Sequence, residues 1–313
     1  MTKRATSPQA EDLLDAYFPV LDYGFVALKD YMGVDESVAE AARTSYQQGT
    51  VKRGNDRDLI RYLDRHEHGT PFEFAVLKFH CQMPIFVARQ WIRHRIAGYN
   101  EMSGRYSLMP LMFYTPEKEH FASQSKTNKQ GREESEAGGY EDHVARWESL
   151  RLELSRHYQD MTDEEIAREL ARIDLPLSTY TNWYWVINTR SLFNFLSLRC
   201  DPHAQWEIRV YANVIAGMLK YAYPTLFQAW YDYEFASVKF SRLDCLLMDH
   251  FFRTGMKPTV ELALGIGMSK REWEEYQEKT RFSPKEVDFT LDLDRALPGE
   301  HFEELARTMT PKS

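Results

Sequence analysis

Residues 89–107, RQWIRHRIAGYNEMSGRYS, place four arginines, one histidine and one glutamate within nineteen positions. Guanidinium groups at this density hold anions. In a regular helix, with about 100° between neighbours, Arg93, His94 and Arg95 would point in three directions; a helix end or turn would let them wrap one ligand. Two like charges about 6 Å apart at an effective dielectric of about 20 repel by roughly 3 kcal/mol, so convergent arginines need an anion between them. Charge-assisted hydrogen bonds of roughly 1.5–3 kcal/mol each reverse that balance once phosphate is present. The spacing points to polyphosphate. The competing reading is a solvated helix face with Glu101 as ion-pair partner.

Any anion site must be local, because the chain of 313 residues carries a formal net charge of −8, whereas a nucleic-acid-binding surface needs a basic face. A nucleic-acid module, with Trp91 and Tyr99 stacking bases beside the arginines, is the alternative of a different class, and the acidic balance opposes it. Hydrophobic residues make up 43% and charged residues 27%, a balance that fits a packed globular protein. No signal-like apolar core opens the chain and no run approaches the roughly 20 apolar residues that span a bilayer, so a cytoplasmic protein is expected. Cys81, Cys200 and Cys245 form neither a disulfide framework nor a zinc motif and read as small buried hydrophobes; no metal ligands are assigned.

The elements that must position the arginines follow from patterning. Ala75, Leu77, Phe79, Cys81 and Met83 alternate with Lys78, His80 and Gln82, which predicts a strand with one buried face. Pro84 can open a helix over IFVARQWI, with an apolar stripe through Ile85, Ala88 and Ile92. Further helices are expected after Asp35 as N-cap, from about residue 142, over TDEEIARELARI with Thr162 and Glu165 as a capping box, over NTRSLFNFLSLR, and from Asp201 as N-cap with Pro202 in the first turn. Residues 116–142 hold few large apolar side chains and read as a mobile insertion. Residues 237–313 read as an accessory C-terminal extension, with a Ser269–Glu272 capping box, to a first domain of residues 1–236. GIGMSK near residue 265 lacks the preceding strand and third glycine of a dinucleotide fingerprint.

The ordered string Arg93-His94-Arg95, Asn100-Glu101, Ser103 and Arg105-Tyr106 resembles the signature of flavin-dependent thymidylate synthases, and so do HGTPFEF at 68–74 and NTRSLFNFLSLRCDPHAQWEI at 188–208. The likeness runs from about residue 40 to 235; Gly98 departs from the serine many members carry, and the insertion and tail lie outside it. The resemblance implies a mixed α/β (α+β) fold with a central, largely antiparallel sheet flanked by helices. It implies reductive methylation of dUMP to dTMP, with 5,10-methylenetetrahydrofolate as one-carbon donor, FAD reduced by NADPH as hydride source, and sites where subunits of a homotetramer meet.

Residue by residue, the resemblance carries dUMP binding to Gln90, Trp91, Ile92, Arg93, Glu101, Met102, Ser103, Gly104, Arg105, Arg172 and Arg199. It carries FAD binding to His68, Thr70, Arg93, His94, Arg95, Glu101, Asn188, Thr189, Arg190 and Asn194. Arg199 is the catalytic residue by the same likeness, and the chemistry suits it: a guanidinium facing a uracil carbonyl and N3 stabilises negative charge and makes C5 nucleophilic without an enzyme thiol. Cys200 stands beside it without the sequence context of a cysteine nucleophile, and Ser103 has no dedicated base.

Overall fold

The computed structural model describes residues 4–45, 55–126, 131–281 and 286–311; parts of the expected insertion and tail, at 127–130, 282–285 and 312–313, lie outside the described residues. Five strands, β1 (Tyr17–Val20), β2 (Gly24–Met32), β3 (Val76–Pro84), β4 (Gly98–Glu101) and a later strand at Tyr180–Asn188, form one sheet. Two short strands, β5 (Ala122–Gln124) and β6 (Arg132–Glu136), pair separately, so the later strand is β7. The sheet order is β1-β2-β3-β7-β4 and every pairing is antiparallel. Leu77, Phe79, Cys81 and Met83 of β3 and Trp183, Trp185 and Ile187 of β7 are buried; the period-two burial expected for β3 holds as far as Cys81, whereas Gln82, expected on the open face, is buried as well and donates to the Tyr23 carbonyl.

The helices are α1 (Pro8–Glu11), α2 (Asp35–Arg43), α3 (Asp56–Arg65), α4 (Ile85–Trp91), α5 (Tyr140–Asp163), α6 (Arg168–Ala171), α7 (Thr189–Arg199), α8 (Trp206–Ala222) and α9 (Pro224–Trp230). Three more, α10 (Arg242–Thr254), α11 (Val260–Gly265) and α12 (Lys270–Lys279), precede the last, α13 (Gly299–Met309). Trp91 meets Trp183, Trp185, Phe195 and Tyr211 within 6 Å between ring centres, and this aromatic knot fixes α4, β7, α7 and α8 on one another.

Local signals are overridden in four places. Asp35 is the first residue of α2 rather than its cap, and its carboxylate accepts the backbone N–H groups of Thr225 and Leu226 at 2.8 and 3.1 Å, capping α9 from a distance. Thr162 donates back to the Gln159 carbonyl at the end of α5 and Glu165 takes a left-handed φ of 58°, so no helix starts there. Asp201 accepts from the His203 N–H at 2.9 Å in a tight turn, which defers α8 to Trp206. The buried stripe of α4 is Val87, Ala88 and Trp91, while Ile92 is exposed.

The contacts divide the chain into residues 1–229 with 289–313, and residues 230–288. The extension expected to run unbroken from residue 237 is therefore split: Phe302 of α13 packs on Tyr17 and Phe25, and Leu297 pairs with Tyr17 across backbone hydrogen bonds of 2.8 and 3.1 Å. In the second unit α10, α11 and α12 enclose Leu247, Ala263, Met268 and Tyr276, with Gly267 supplying the turn at φ 100° and the Ser269–Glu272 capping box in place. Helix α12 carries Glu272, Glu274, Glu275 and Glu278 beside Lys270, Arg271 and Lys279.

The insertion has a seat. β5 and β6 form a hairpin, Arg132 pairs with the buried Glu207, and the His120 ring stacks on Trp206 at 4.0 Å. Phe121 also packs on Tyr140, His143 and Trp147, so a cation and several rings tie the described part of the insertion. Among the described residues no helix is long and apolar enough to cross a membrane. Cys81 and Cys200 are buried as expected, whereas Cys245 is exposed.

Candidate active site

Helix α4 ends at Trp91, and Arg93, His94 and Arg95 occupy the turn before β4. Outside the helix their directions are no longer fixed about 100° apart. The turn is tied by the His94 N–H to the Trp91 carbonyl at 3.0 Å and by the Tyr99 hydroxyl donating to the His94 carbonyl at 2.6 Å. Gly98 faces Val186 across the β4–β7 ladder, where a Cβ would stand 2.7 Å from Val186 Cγ1, so a serine here would need that side chain to give way. Arg93 and Arg95 are exposed and have no ion-pair partner among the described residues. Glu101 does not pair with them: its Oε1 accepts from the Thr181 hydroxyl at 2.6 Å, which fixes the carboxylate at the end of β4. The plain solvated-salt-bridge reading of the cluster thus fails.

Arg199, the last residue of α7, reaches the same turn. Its Nε donates to His94 Nε2 at 3.1 Å and a terminal nitrogen stands 3.5 Å from the Gln90 carbonyl oxygen. His94 must then be neutral with its proton on Nδ1. Burial and the neighbouring Arg199 charge both push its pKa down, to about 4. Burial alone lowers that of Arg199.

Beyond β4, Met102 is held by its N–H to the Asn182 carbonyl at 2.9 Å, and Ser103 Oγ accepts from the Arg105 N–H at 3.3 Å. Gly104 is buried against Met109 and Arg172: a Cβ there would lie 3.0 Å from Arg172 Cδ, so the missing side chain lets Arg172 approach the 103–105 loop. Arg105 pairs with Glu169 at 3.1 Å, and because both groups are more than half exposed the pair is weak and exchangeable for an incoming anion.

A second set stands at the other end of α7. Asn188 caps it by accepting the Ser191 N–H at 2.9 Å, and the buried Thr189 donates to the Phe72 carbonyl at 2.6 Å. Arg190 lies over Gly69, where a Cβ would meet its Nε at 2.6 Å. His68 stacks on Tyr62, and Thr70 opens the short 3₁₀ turn Thr70–Phe74. Asn194 is exposed one turn beyond Arg190.

The structure therefore brings Gln90 and His94 to Arg199 at the C-terminal end of α7, and the His68–Thr70 segment to Arg190 near its N-terminal end beside Asn188; Asn194 lies midway along the helix and Glu101 at the end of β4. Three expected binding side chains are committed within the fold: Trp91 is 0% exposed in the aromatic knot, the Thr189 hydroxyl serves the backbone, and Asn188 Oδ1 caps α7. Ile92 is exposed. Sequence reasoning missed Thr181, Gln205 and Glu207. The last two lie in the AQWEI segment after Arg199, and Gln205 accepts from the Gln90 side-chain amide while donating to Glu207 at 2.9 Å. Cys200 is buried, and burial with the adjacent Asp201 carboxylate pushes its thiol far up, so no thiolate forms there.

Residues 27–225 match the family described as thymidylate synthase complementing protein. The chain belongs to that family, the flavin-dependent thymidylate synthases, and is an enzyme of that kind. Among curated relatives of that name it is 45% identical over 286 residues to one from Ruegeria pomeroyi, covering 88% of this chain and 92% of that protein. It is 44% identical to those of Rickettsia bellii and Gluconobacter oxydans, with 88% of this chain again covered and 97% and 91% of theirs. That share exceeds residues 27–225, so the likeness extends past the stretch recognised in the sequence. A solved UMP/dUMP methylase, PolB from Streptomyces cacaoi bound with 5-Br UMP, superposes with a TM-score of 0.62 at 32% identity, covering 71% of this chain and 99% of that one.

Proposed function

We propose that this chain methylates dUMP to dTMP, taking the one-carbon unit from 5,10-methylenetetrahydrofolate and using FAD reduced by NADPH. The observation that carries the reading is Arg199 held by a neutral His94, beside two arginines that have no carboxylate partner among the described residues. PolB, solved with 5-Br dUMP as well as 5-Br UMP, supports a uridine monophosphate as substrate.

The donor set fits a flavin dinucleotide: Arg93 and Arg95 would meet its diphosphate, while Asn194, Arg190 and His68 would meet the rest of it. When bound, the flavin supplies the hydride. With Nε committed to His94, the terminal nitrogens of Arg199 keep N–H groups for a uracil carbonyl and N3, where they stabilise the negative charge that makes C5 nucleophilic. Glu101, fixed by Thr181, orients ligand groups that donate. Arg105, Ser103 and Arg172 hold the monophosphate once Arg105 leaves Glu169.

Arg190 and Arg199 are nine positions apart on α7, about 13.5 Å along the axis at 1.5 Å per residue, too far to share contacts with one nucleotide base. We read the two ends as parts of sites completed by other copies in a homotetramer. Ile96, Ile173 and Leu177, at 74%, 70% and 64% exposure, supply apolar surface for such contacts. The buried Cys81 and Cys200 fit a cytoplasmic enzyme. The test is release of tritium from [5-³H]dUMP together with dTMP formation when FAD, NADPH and methylenetetrahydrofolate are supplied. Absence of both from a folded, flavin-loaded protein would refute the reading.

A further inference from the structure

A continuous chain of polar contacts leads from the insertion hairpin to Gln90. A terminal nitrogen of Arg132 lies 2.6 Å from both carboxylate oxygens of Glu207, whose side chain is 4% exposed. Glu207 also accepts from the Tyr114 hydroxyl at 3.1 Å and from Gln205 Nε2 at 2.9 Å, and the Gln205 carbonyl accepts from Gln90 Nε2. Burial would raise the Glu207 carboxyl, but hydrogen bonding and charge from Arg132 outweigh it and hold it below the ordinary carboxylate range. It is therefore ionised near neutrality and can only accept.

That one-way character propagates. Because Glu207 only accepts, Gln205 turns its NH₂ towards it and its carbonyl towards Gln90. Gln90 must then answer with its own NH₂, which leaves its carbonyl oxygen for a ligand. We propose that the Arg132–Glu207 ion pair is a positioning device that fixes the polarity of the Gln90 amide, so that the site presents an acceptor to a donor group of the pyrimidine nucleotide. The inference rests on the assignment of Gln90 to the dUMP side of the site. The paired strands β5 and β6 thereby acquire a role. Arg132, further tied by donating to the His120 carbonyl at 2.6 Å, carries the compensating charge without which a carboxylate this buried would not stay ionised.

Three variants separate this from a structural role. Gln205→Ala cuts the chain while leaving the ion pair intact, Glu207→Gln replaces the acceptor-only group with an amide that allows both glutamines to flip, and Arg132→Ala removes the counter-charge. Calorimetric titration of the flavin-loaded protein with dUMP should show affinity falling by about tenfold in Gln205→Ala and Glu207→Gln, well inside the ~10²-fold that a 1 Å misplacement can cost, with flavin affinity unchanged. The double variant should be no weaker than either single, because both break one chain. Arg132→Ala should follow Glu207→Gln if it folds; if it does not, the first two variants decide. Wild-type dUMP affinity in Gln205→Ala and Glu207→Gln, or fully additive losses, would overturn the proposal. A wild-type protein that fails to bind dUMP would overturn the functional reading, and this inference with it.

Discussion

The two ends of α7 make opposite use of their polar groups. At the N-terminal end Asn188 and Thr189 spend their side chains on the backbone, and Gly69 makes room for Arg190 to lie flat. At the C-terminal end Arg199 is gripped by another side chain, and Arg93 and Arg95 beside it are left without ion pairs among the described residues. Groups that already have protein partners fix the shape of the site, while uncommitted arginines await an anion. The cost of leaving them so, about 3 kcal/mol of repulsion for a pair at 6 Å, is what a bound diphosphate would relieve. On the proposed assignment the N-terminal end cradles part of the cofactor, while the C-terminal end meets the cofactor's diphosphate through Arg93 and Arg95 and the substrate through Arg199.

Substitutions at Arg199 should have the largest effect on this division. Arg199→Ala should keep flavin and lose dTMP formation by roughly 10²–10³-fold, the cost of deleting one oxyanion donor, about 2.7–4 kcal/mol. Arg199→Lys should recover only part, because a point charge cannot bond to His94 and meet two uracil atoms together. Single-turnover methylation measures both. If alanine methylates normally, the substrate end is misassigned.

Arg93→Ala and Arg95→Ala come next. Each deletes a charge-assisted contact of about 1.5–3 kcal/mol, so flavin dissociation constants should rise by roughly 10- to 100-fold, read from flavin fluorescence on titration. Unchanged affinity in both would remove the phosphate reading. Gly69→Ala should act in the same direction more weakly, since its Cβ must push the Arg190 side chain aside.

The pH dependence sharpens the C-terminal end. With its pKa lowered to about 4, His94 stays neutral in the fold while an unfolded chain protonates near 6.5. Between those values the unfolded state binds the extra proton, so stability falls as pH drops from about 6.5 towards 4. The Arg199 contact should survive until His94 itself is protonated near 4 and repels the guanidinium. Imidazole ¹⁵N shifts at about pH 5.5 should report neutral His94 protonated at Nδ1; an imidazolium there would break the assignment. Cys200→Ser should be the mildest change, retaining dTMP formation, because the thiol is buried and its pKa is raised.

How much of this the sequence revealed depends on the range of the interaction. The turn holding Arg93 to Arg95 was readable from the helix-starting Pro84 and the angular argument, and β3 from its alternation, since both are local. The Arg199–His94 bond joins residues 105 apart and the Arg132–Glu207 pair spans 75, so spacing could not reveal either. The contact of Arg132 with the buried Glu207 carboxylate ties the described part of the insertion through charge, which a search for apolar residues does not find. The Thr162 capping box failed because Thr162 lies in the last turn of α5, where its hydroxyl turns back to the Gln159 carbonyl, and Glu165 takes a left-handed conformation after the helix end. The tail divided because Phe302 and Leu297 fit against Tyr17, complementarity that only the folded sheet displays.

The division of labour along α7 is tested most directly by comparing Arg190→Ala with Arg199→Ala, alone and after the two are unfolded and refolded together. Flavin absorbance should be reduced in Arg190→Ala and retained in Arg199→Ala. If sites are completed between copies, the mixture should regain dTMP formation that neither variant shows alone. Equal flavin loss in both variants, with no recovery on mixing, would contradict a cofactor end and a substrate end shared between chains.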